Sequence, residues 1–371
     1  MLVTSQTEAD QIFQKLAQKP YVAIDTEFHW TRTYAPIPAL IQVGTEDEHY
    51  LIDVTEIKDF SSLGDFLENE DCAKIIHSCS QDLILFYLMT GKVTKNLFDS
   101  QIAYAFLNDY HQISFGKMVE DITDQALSKG SQRSNWLKRP LSPTQLQYAA
   151  NDVIWLMKCF PSLQEKLAKL KRNDWHRAEC QNYETDAFYE VTPEHKLYRQ
   201  IKGAGRLNRD QLSILRELCA WREKISQKLN LRPRVFLSPE ALFSIVYNKP
   251  RNTKDLKRCR DISPNVMRFN SRDIVECVDI GLSLEEDQKP PIIEKRIPSK
   301  REEKFADSLY KMVQDKAAAL QMSANLLLTK STCKKIASWN FKELAFDFGT
   351  LASWRQDLLK EDILKIANNF S

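Results

Sequence analysis

The sequence lacks any long hydrophobic run. No apolar stretch reaches the roughly 18 residues that a helix needs to cross a bilayer, and the first ten residues are too polar for a secretory signal. None of the eight cysteines forms a C-x-x-C pair, and the six histidines are equally scattered, which argues against a zinc site. These absences favour a cytoplasmic protein with reduced thiols and no membrane span.

Charge is unevenly distributed, although the net charge is only +2. Residues 1–200 hold 20 Lys and Arg against 28 Asp and Glu, whereas residues 201–371 hold 32 against 22. An acidic front half could bind metal ions and a basic rear half could bind phosphates, which would suit a nucleic-acid enzyme. The alternative is that the asymmetry has no function.

The front half alternates strand and helix patterns. Residues 21–28, 40–43 and 49–53 read as three early strands, and β-α alternation follows them, which predicts an α/β domain with a mixed sheet. Ser142-Pro143-Thr144-Gln145 predicts a helix start with a capping box. That helix is expected to run to about Met157, and a charged helical bridge is expected over 161–187.

Strand patterns fade in the rear half, which contains a weak internal repeat. Residues 229–238 align with 320–329, and each segment follows a long helical pattern. Residues 285–303 between them are rich in charge and proline, a composition typical of a linker. We therefore predict four segments: an α/β domain with its bridge over 1–200, a helical domain over 205–285, a linker over 286–303, and a second helical domain over 304–371.

Asp25-Thr26-Glu27 is the sharpest local feature. Residues two apart on a strand share a face, so both carboxylates point the same way from an otherwise apolar strand. Burying two such charges is costly unless a hard divalent cation neutralises them. A solvated pair is the alternative interpretation.

Two other places carry candidate acids. Tyr148 and Asp152 lie four apart on the capped helix and therefore share a face, although such a pair is often only a surface pair. Asp82 lies early in an apolar helix, where an acid can simply offset the helix dipole. Asp99 is better explained as a helix cap, together with Ser100. If the helix of Asp152 packs against the first strand, the acids meet around a metal.

Three motifs in order resemble those of the bacterial ribonuclease D family, within the DEDD exonuclease superfamily. They are Ala23-Ile24-Asp25-Thr26-Glu27-Phe28 with Arg32, Tyr34 and Leu40-Ile41-Gln42-Val43; His77-Ser78-Cys79-Ser80-Gln81-Asp82-Leu83 with Phe98-Asp99-Ser100-Gln101; and Trp136-Leu137-Lys138-Arg139-Pro140-Leu141 leading to Tyr148-Ala149-Ala150-Asn151-Asp152-Val153. A tyrosine four residues before the last aspartate is typical of the superfamily's tyrosine branch. The resemblance covers nearly the whole chain.

The resemblance implies a ribonuclease H-like exonuclease domain followed by two small all-α domains of the helicase-and-ribonuclease-D C-terminal type. It implies catalytic roles for five residues: Asp25, Glu27, Asp82, Tyr148 and Asp152. The four acids would bind two divalent cations, Mg²⁺ or Mn²⁺, about 3.5–4 Å apart, as in other two-metal sites. Asp25 would bridge both ions, Glu27 and Asp152 would complete the first, and Asp82 would hold the second. Tyr148 would orient the attacking water.

The implied activity is that of a monomeric 3′→5′ exoribonuclease. Its substrate would be RNA with a single-stranded 3′ end, with transfer RNA precursors and other small structured RNAs as the family's implied substrates. Six residues are predicted to line the substrate cleft, with surface or capping roles as the alternative: Phe28, Gln42, His77, Gln101, Arg133 and Arg139.

Two rival functions stay open at this point. A DNA 3′→5′ exonuclease of the same superfamily is disfavoured because no polymerase or helicase segment accompanies the chain. A non-catalytic RNA-binding protein with an inactive nuclease fold would be expected to lack at least one acid, and all four acids and the tyrosine are present.

Overall fold

The computed structural model describes residues 1–127, 130, 134–294, 297–338, 348 and 351–370. Its contacts divide the chain into two compact units. The first comprises Met1–His29, Pro38–Tyr189 and Pro298–Ser371, and the second comprises Trp30–Ile37 and Glu190–Ile297.

A six-stranded mixed sheet forms the centre of the first unit. Its strands are β1 (Leu2–Val3), β2 (Tyr21–His29), β3 (Ile37–Gly44), β4 (His49–Ile52), β5 (Ala73–Ile76) and β6 (Leu97–Asp99). The strand order is β1-β4-β3-β2-β5-β6. β5 is parallel to β2 and β6, whereas β3 and β4 pair antiparallel. The predicted mixed sheet is therefore confirmed, and β2 lies inside it.

Helices cover both faces of this sheet. They are α1 (Gln6–Leu16), α2 (Ser61–Glu68), α3 (Ser80–Thr90), α4 (Ser100–Leu107), α5 (Phe115–Thr123), α6 (Pro143–Lys169), α7 (Asn173–Gln181) and α8 (Asp186–Tyr189). One core joins Ile24 of β2 to Leu83 and Phe86 of α3. The other joins Ala23 of β2 to Val153 of α6. Alternate residues of β2 therefore face α3 and α6.

The end that the sequence predicted for the capped helix was wrong. α6 does not end near Met157 but continues through Pro161 to Lys169, into the segment predicted as a bridge. A proline inside a helix removes one hydrogen bond and crowds the preceding turn. Phe160, Leu163 and Leu167 are buried in the core on either side of it, so tertiary packing outweighs this local cost.

The last helices of the chain belong to the first unit. They are α13 (Lys300–Leu320), α14 (Ala324–Leu327), α15 (Lys330–Ser338) and α16 (Ser353–Asn368). Arg172 is buried and donates to the carbonyl oxygens of Phe106 and Leu320, and the Ser323 amide donates to the Ala105 carbonyl at 2.8 Å. α13 begins inside the predicted linker, and the four predicted segment boundaries stay a prediction.

The second unit is helical. It contains α9 (Arg209–Lys228), α10 (Pro233–Phe236), α11 (Pro239–Asn248) and α12 (Pro264–Ser283), with 3₁₀ turns at Glu194–Gln200, Ala204–Arg206 and Asp255–Arg258. Leu212, Leu215 and Cys219 of α9 are fully buried, as their helical spacing predicts. The Tyr34 hydroxyl in the 30–37 segment donates to Glu223 of α9 at 2.5 Å. Every helix in the described part of the chain is too short or too polar to cross a membrane.

Candidate active site

β2 carries two acids on its α6 face. Val22, Ala23 and Ile24 are fully buried, so the strand is fixed in the core up to the first acid. Because side chains alternate along a strand, Asp25 and Glu27 lie on the same face as Ala23, which packs with α6. This is the juxtaposition that D-x-E spacing predicts.

α6 brings a tyrosine and an acid to the same face. The predicted capping box is present: Gln145 N donates to Ser142 Oγ at 3.2 Å, and Ser142 N donates to Gln145 Oε1 at 3.1 Å. Val153 of α6 lies in the same core as Ala23 of β2. Asp25 is the next residue on that face of β2, so it lies near the turn of α6 that carries Val153. Asp152 lies close enough for its charge to raise the pKa of Asp25. The helix of Asp152 and the first acid therefore share one side of the sheet.

α3 contributes the fourth acid from the other side of β2. Asp82 is 7% exposed and accepts a hydrogen bond from the Thr26 hydroxyl. The turn before α3 is held by Asp99, whose carboxylate accepts from the amides of Ser78 at 3.2 Å and Cys79 at 2.9 Å. Asp99 also caps α4 by accepting from Gln101 N, which confirms its predicted capping role.

These four acids, Asp25, Glu27, Asp82 and Asp152, form what we call the acidic pocket. Burial and the charge of Asp152 raise the pKa of Asp25 well above its ordinary value. Burial and the charges of Asp25, Asp152 and Asp82 raise the pKa of Glu27 to about 10. Burial also raises the pKa of Asp152, and burial with the charge of Asp25 raises that of Asp82. The acids thus repel one another, and no basic group of the described chain lowers their pKa values.

The acidic pocket suits hard divalent cations. Protons or cations must offset the mutual repulsion, and carboxylate oxygens are the ligands that Mg²⁺ and Mn²⁺ prefer. Within the described residues, no three His, Cys, Asp or Glu side chains are arranged so that they could hold a metal ion as they stand. The fit therefore rests on the donor chemistry and on the electrostatic cost that a cation would remove.

A cleft of about 310 Å³ opens beside the acidic pocket. Tyr148, Asn151 and Asp152 of α6 form one side, and α5 with its flanking loops forms the other. Burial and the charges of Asp152, Glu27 and Asp25 raise the pKa of Tyr148 above its ordinary value, so its hydroxyl is neutral. The cleft thus places a neutral hydroxyl next to carboxyls that have no ion pair among the residues described.

The residues predicted to contact substrate have diverse surroundings. His77 Nε2 lies 3.1 Å from the Ile113 carbonyl oxygen, and Gln101 Nε2 donates to that same oxygen at 2.8 Å. Arg139 binds both carboxylate oxygens of Asp53, each at 2.5 Å. These contacts give the three side chains structural partners, and substrate contact by them stays a prediction.

Three other predicted contacts complete this set. Phe28 is partly exposed near the end of β2, whereas Gln42 is fully buried with both amide atoms unpaired among the described residues. Arg133 lies outside the described residues. Sequence reasoning missed the cleft wall from α5, including Phe115 and Lys117, because that segment carries no motif.

Known proteins resemble the chain over these same regions. Residues 1–168 match the family described as 3′-5′ exonuclease, and residues 211–278 match the HRDC domain. Ribonuclease D of Pseudomonas paraeruginosa is 31% identical over 348 residues, which cover 93% of this chain and 92% of that protein. The chain belongs to the ribonuclease D family. Ribonuclease D of Desulfotalea psychrophila is 30% identical, with 97% and 96% of the two chains covered.

The solved structures agree with the ribonuclease D assignment. The crystal structure of Escherichia coli RNase D, described as an exoribonuclease involved in structured RNA processing, matches with a TM-score of 0.90. It is 26% identical and covers 100% of this chain and 98% of its own. The chain is therefore a 3′→5′ exoribonuclease of the DEDD superfamily, with the predicted exonuclease fold followed by helical domains. Membership of this superfamily implies divalent metal use.

Proposed function

We propose that this ribonuclease D-like chain removes nucleotides one at a time from single-stranded 3′ ends of RNA by two-metal hydrolysis, releasing 5′-mononucleotides. The observation that carries the proposal is the convergence of four carboxyls from β2, α3 and α6, without an ion pair in the described part of the chain, beside a cleft that also contains Tyr148. Its substrates would be transfer RNA precursors and other small structured RNAs, in keeping with the structured RNA processing ascribed to the E. coli protein.

The acidic pocket would hold the two cations, Mg²⁺ or Mn²⁺. Asp25 would be shared between them, Glu27 and Asp152 would complete the ligands of the first, and Asp82 would hold the second. When bound, the pair would stabilise the negative charge that builds on the attacking and leaving oxygens. The raised pKa values support a shared pocket, because the charge of Asp152 raises the pKa of Asp25, and the charges of Asp25, Asp152 and Asp82 raise that of Glu27.

Tyr148 would position the attacking water but would not itself accept the proton that this water loses. A phenol with a pKa raised above its ordinary value is a poor base near pH 7. The same neutral hydroxyl can donate one hydrogen bond and accept another. It can therefore orient a water molecule at the edge of the acidic pocket.

The cleft's size supports a single-stranded 3′ end. A space of about 310 Å³ lies at the lower end of the range for small-ligand pockets, and a base pair is far larger than one nucleotide. Phe28 follows the two acids on β2 and is partly exposed, so we assign it to the face of the terminal nucleotide.

The second unit would add phosphate contacts. Residues 201–300 carry 21 basic and 13 acidic side chains. Several of the basic ones already have partners: Arg209 with Glu286, Lys224 with Glu194, and Arg232 with the Trp30 carbonyl. Lys228 and Arg234 are exposed and have no ion pair within the described chain, so we assign the backbone contacts to them first.

We further propose that the enzyme acts as a monomer in the cytoplasm. All eight cysteines are free and buried, which supports a reducing compartment. Light scattering after size exclusion should give the mass of one chain, 43.1 kDa, and twice that mass would contradict the monomer.

A single assay tests the proposed activity. A 3′-extended RNA hairpin is incubated with Mg²⁺ or with chelator, and the products are resolved to single nucleotides. The expected result is a ladder of single-nucleotide steps that stops near the paired stem, 5′-mononucleotide product, and no reaction with chelator. A matched DNA hairpin should react more slowly, because the RNA 2′-hydroxyl offers an extra contact. Equal or faster DNA cleavage would favour the DNA exonuclease.

A further inference from the structure

The middle residue of the D-T-E motif points away from the acids on either side of it. Side chains alternate on β2, so Thr26 shares the face of Val22 and Ile24, which pack against α3. It is only 6% exposed. A buried hydroxyl needs a hydrogen-bond partner, and that partner decides what the residue does.

Thr26 donates its hydroxyl hydrogen bond to Oδ1 of Asp82. Within the described residues, no other side chain hydrogen-bonds to this carboxylate. The backbone turn before Asp82 is held separately, by the Asp99 carboxylate on the amides of Ser78 and Cys79. Asp99 thus holds the start of α3, and Thr26 separately orients the carboxylate of Asp82.

A hydroxyl suits this task better than a basic group. An arginine would orient a carboxylate but would also neutralise it, as Arg139 does for Asp53. A hydroxyl fixes one oxygen and leaves the negative charge and the second oxygen available to a cation. Hydrogen bonds to ligating carboxylates tune metal affinity in this way.

We propose that Thr26 is a positioning residue that orients Asp82 for the second divalent cation, so that one strand triplet acts on three acids. The proposal rests on the two-cation function proposed above. Asp25 and Glu27 act directly from one face of β2, and Thr26 acts through Asp82 on the other face. The spacing D-T-E therefore serves both sides of the strand.

The test compares three substitutions at one position. Thr26→Val keeps the shape and removes the hydroxyl, Thr26→Ser restores a hydroxyl, and Thr26→Ala removes it with a smaller side chain. Thr90→Val is the matched control. The Thr90 hydroxyl donates to the Phe86 carbonyl at the end of α3 opposite to Asp82. The readouts are calorimetric titration with Mn²⁺ alone and turnover of a 3′-extended RNA as a function of Mn²⁺ concentration.

Thr26→Val and Thr26→Ala should bind the second Mn²⁺, the one assigned to Asp82, about 10–100-fold less tightly, the usual effect of losing such a partner. Turnover at low Mn²⁺ should fall and should partly recover when Mn²⁺ is raised. The Mn²⁺ affinity of Thr26→Ser should stay within about threefold of the parent's by the same principle. The Mn²⁺ affinity of Thr90→Val should equal the parent's.

Parent-like Mn²⁺ affinity in Thr26→Val would overturn the proposal, as would a Thr26→Ser variant as weak as Thr26→Val. If neither Val nor Ala folds, the hydroxyl is a structural requirement and the positioning role is rejected. Asp152→Ala separates this failure from failure of the metal site. An Asp152→Ala protein that binds Mn²⁺ like the parent would contradict the cation site itself, whatever Thr26 does.

Discussion

Two groups of acids in the first unit, one buried and one mostly half-buried, differ in what neutralises them. Asp53, Glu179 and Glu184, the arginine-paired acids, bond to Arg139, Arg355 and Arg177 respectively. Burial would raise the pKa of Asp53 and of Glu184, but the hydrogen bonds and charges of the arginines, together with hydrogen bonds from Thr55 to Asp53 and from backbone amides, outweigh it and lower both. Among the described residues the acidic pocket has no arginine or lysine partner, and there every pKa is raised.

This difference separates acids that stabilise the fold from acids that cost stability. A buried ion pair is neutral overall, and removing one partner leaves the other charge buried without compensation. A cluster of carboxyls without basic partners must be neutralised by protons or by cations, and carboxylate oxygens are the ligands that hard divalent cations prefer. The contrast therefore supports the metal-binding role proposed for the acidic pocket without reference to a relative.

The largest expected effect comes from removing a pocket acid. Asp25→Ala or Asp152→Ala should lower turnover by at least about 10³-fold, the scale on which one charge-stabilising group acts. The metal-free variants should unfold at the same temperature as the parent or higher, because a repulsive charge is gone. Turnover on a 3′-extended RNA and a thermal melt in chelator measure the two effects. Retained activity in either variant would contradict the metal assignment.

Tyr148→Phe should have the next largest effect. Losing the hydroxyl should slow turnover by about 10²–10⁴-fold, the range for a group that handles or orients a proton-bearing atom. Mn²⁺ affinity should stay at the parent value, because the phenol is not assigned as a ligand. A variant with the parent's rate would remove Tyr148 from the mechanism.

Arg139→Met tests the other side of the comparison. The substitution leaves Asp53, which is 2% exposed, without its cation. The unfolding free energy should fall by about 3 kcal/mol, while KM for RNA should change little. Chemical denaturation and steady-state kinetics measure these. A large rise in KM with unchanged stability would instead place Arg139 in the cleft, as the sequence predicted.

The smallest expected effect concerns a buried cation. Lys74 is fully buried, its ammonium donates to the Cys72 carbonyl at 2.7 Å, and burial lowers its pKa from 10.5 to about 8. Between these two pH values the unfolded chain binds more protons than the folded one, so the unfolding free energy should rise with pH.

Lys74→Met supplies the reference for this effect. Relative to that variant, the unfolding free energy of the parent should rise by at most ~2 kcal/mol between pH 8 and 9.5, at 1.36 kcal/mol per pH unit. Denaturant titrations at several pH values give the difference. Parallel pH profiles for the two proteins would show that burial does not shift Lys74.

Features that local chemistry dictates could be predicted from the sequence. The capping box at Ser142 and Gln145, the strand that carries Asp25 and Glu27, and the cap at Asp99 each follow from residues a few positions apart. The resemblance to ribonuclease D added the order of the motifs. Together these predicted the mixed sheet and the residues of the acidic pocket.

Features that depend on distant contacts could not be predicted. Thr26 meets Asp82 from 56 positions away, and His77 and Gln101 meet at the carbonyl of Ile113. A backbone carbonyl leaves no mark in the sequence, so the sequence could not show these hydrogen bonds, and substrate contact by His77 and Gln101 stays a prediction. α6 continued past Pro161 because core packing outweighed a local helix-breaking signal.

The most direct test of the central claim is the anomalous scattering of Mn²⁺ in a crystal grown with Mn²⁺ and a 5′-mononucleotide. The account predicts two peaks in the acidic pocket, both beside Asp25, with Asp82 beside one of them only. It also predicts no peak at the arginine-paired acids Asp53, Glu179 and Glu184. An empty acidic pocket at saturating Mn²⁺ would contradict the claim that unpaired carboxyls mark the catalytic centre.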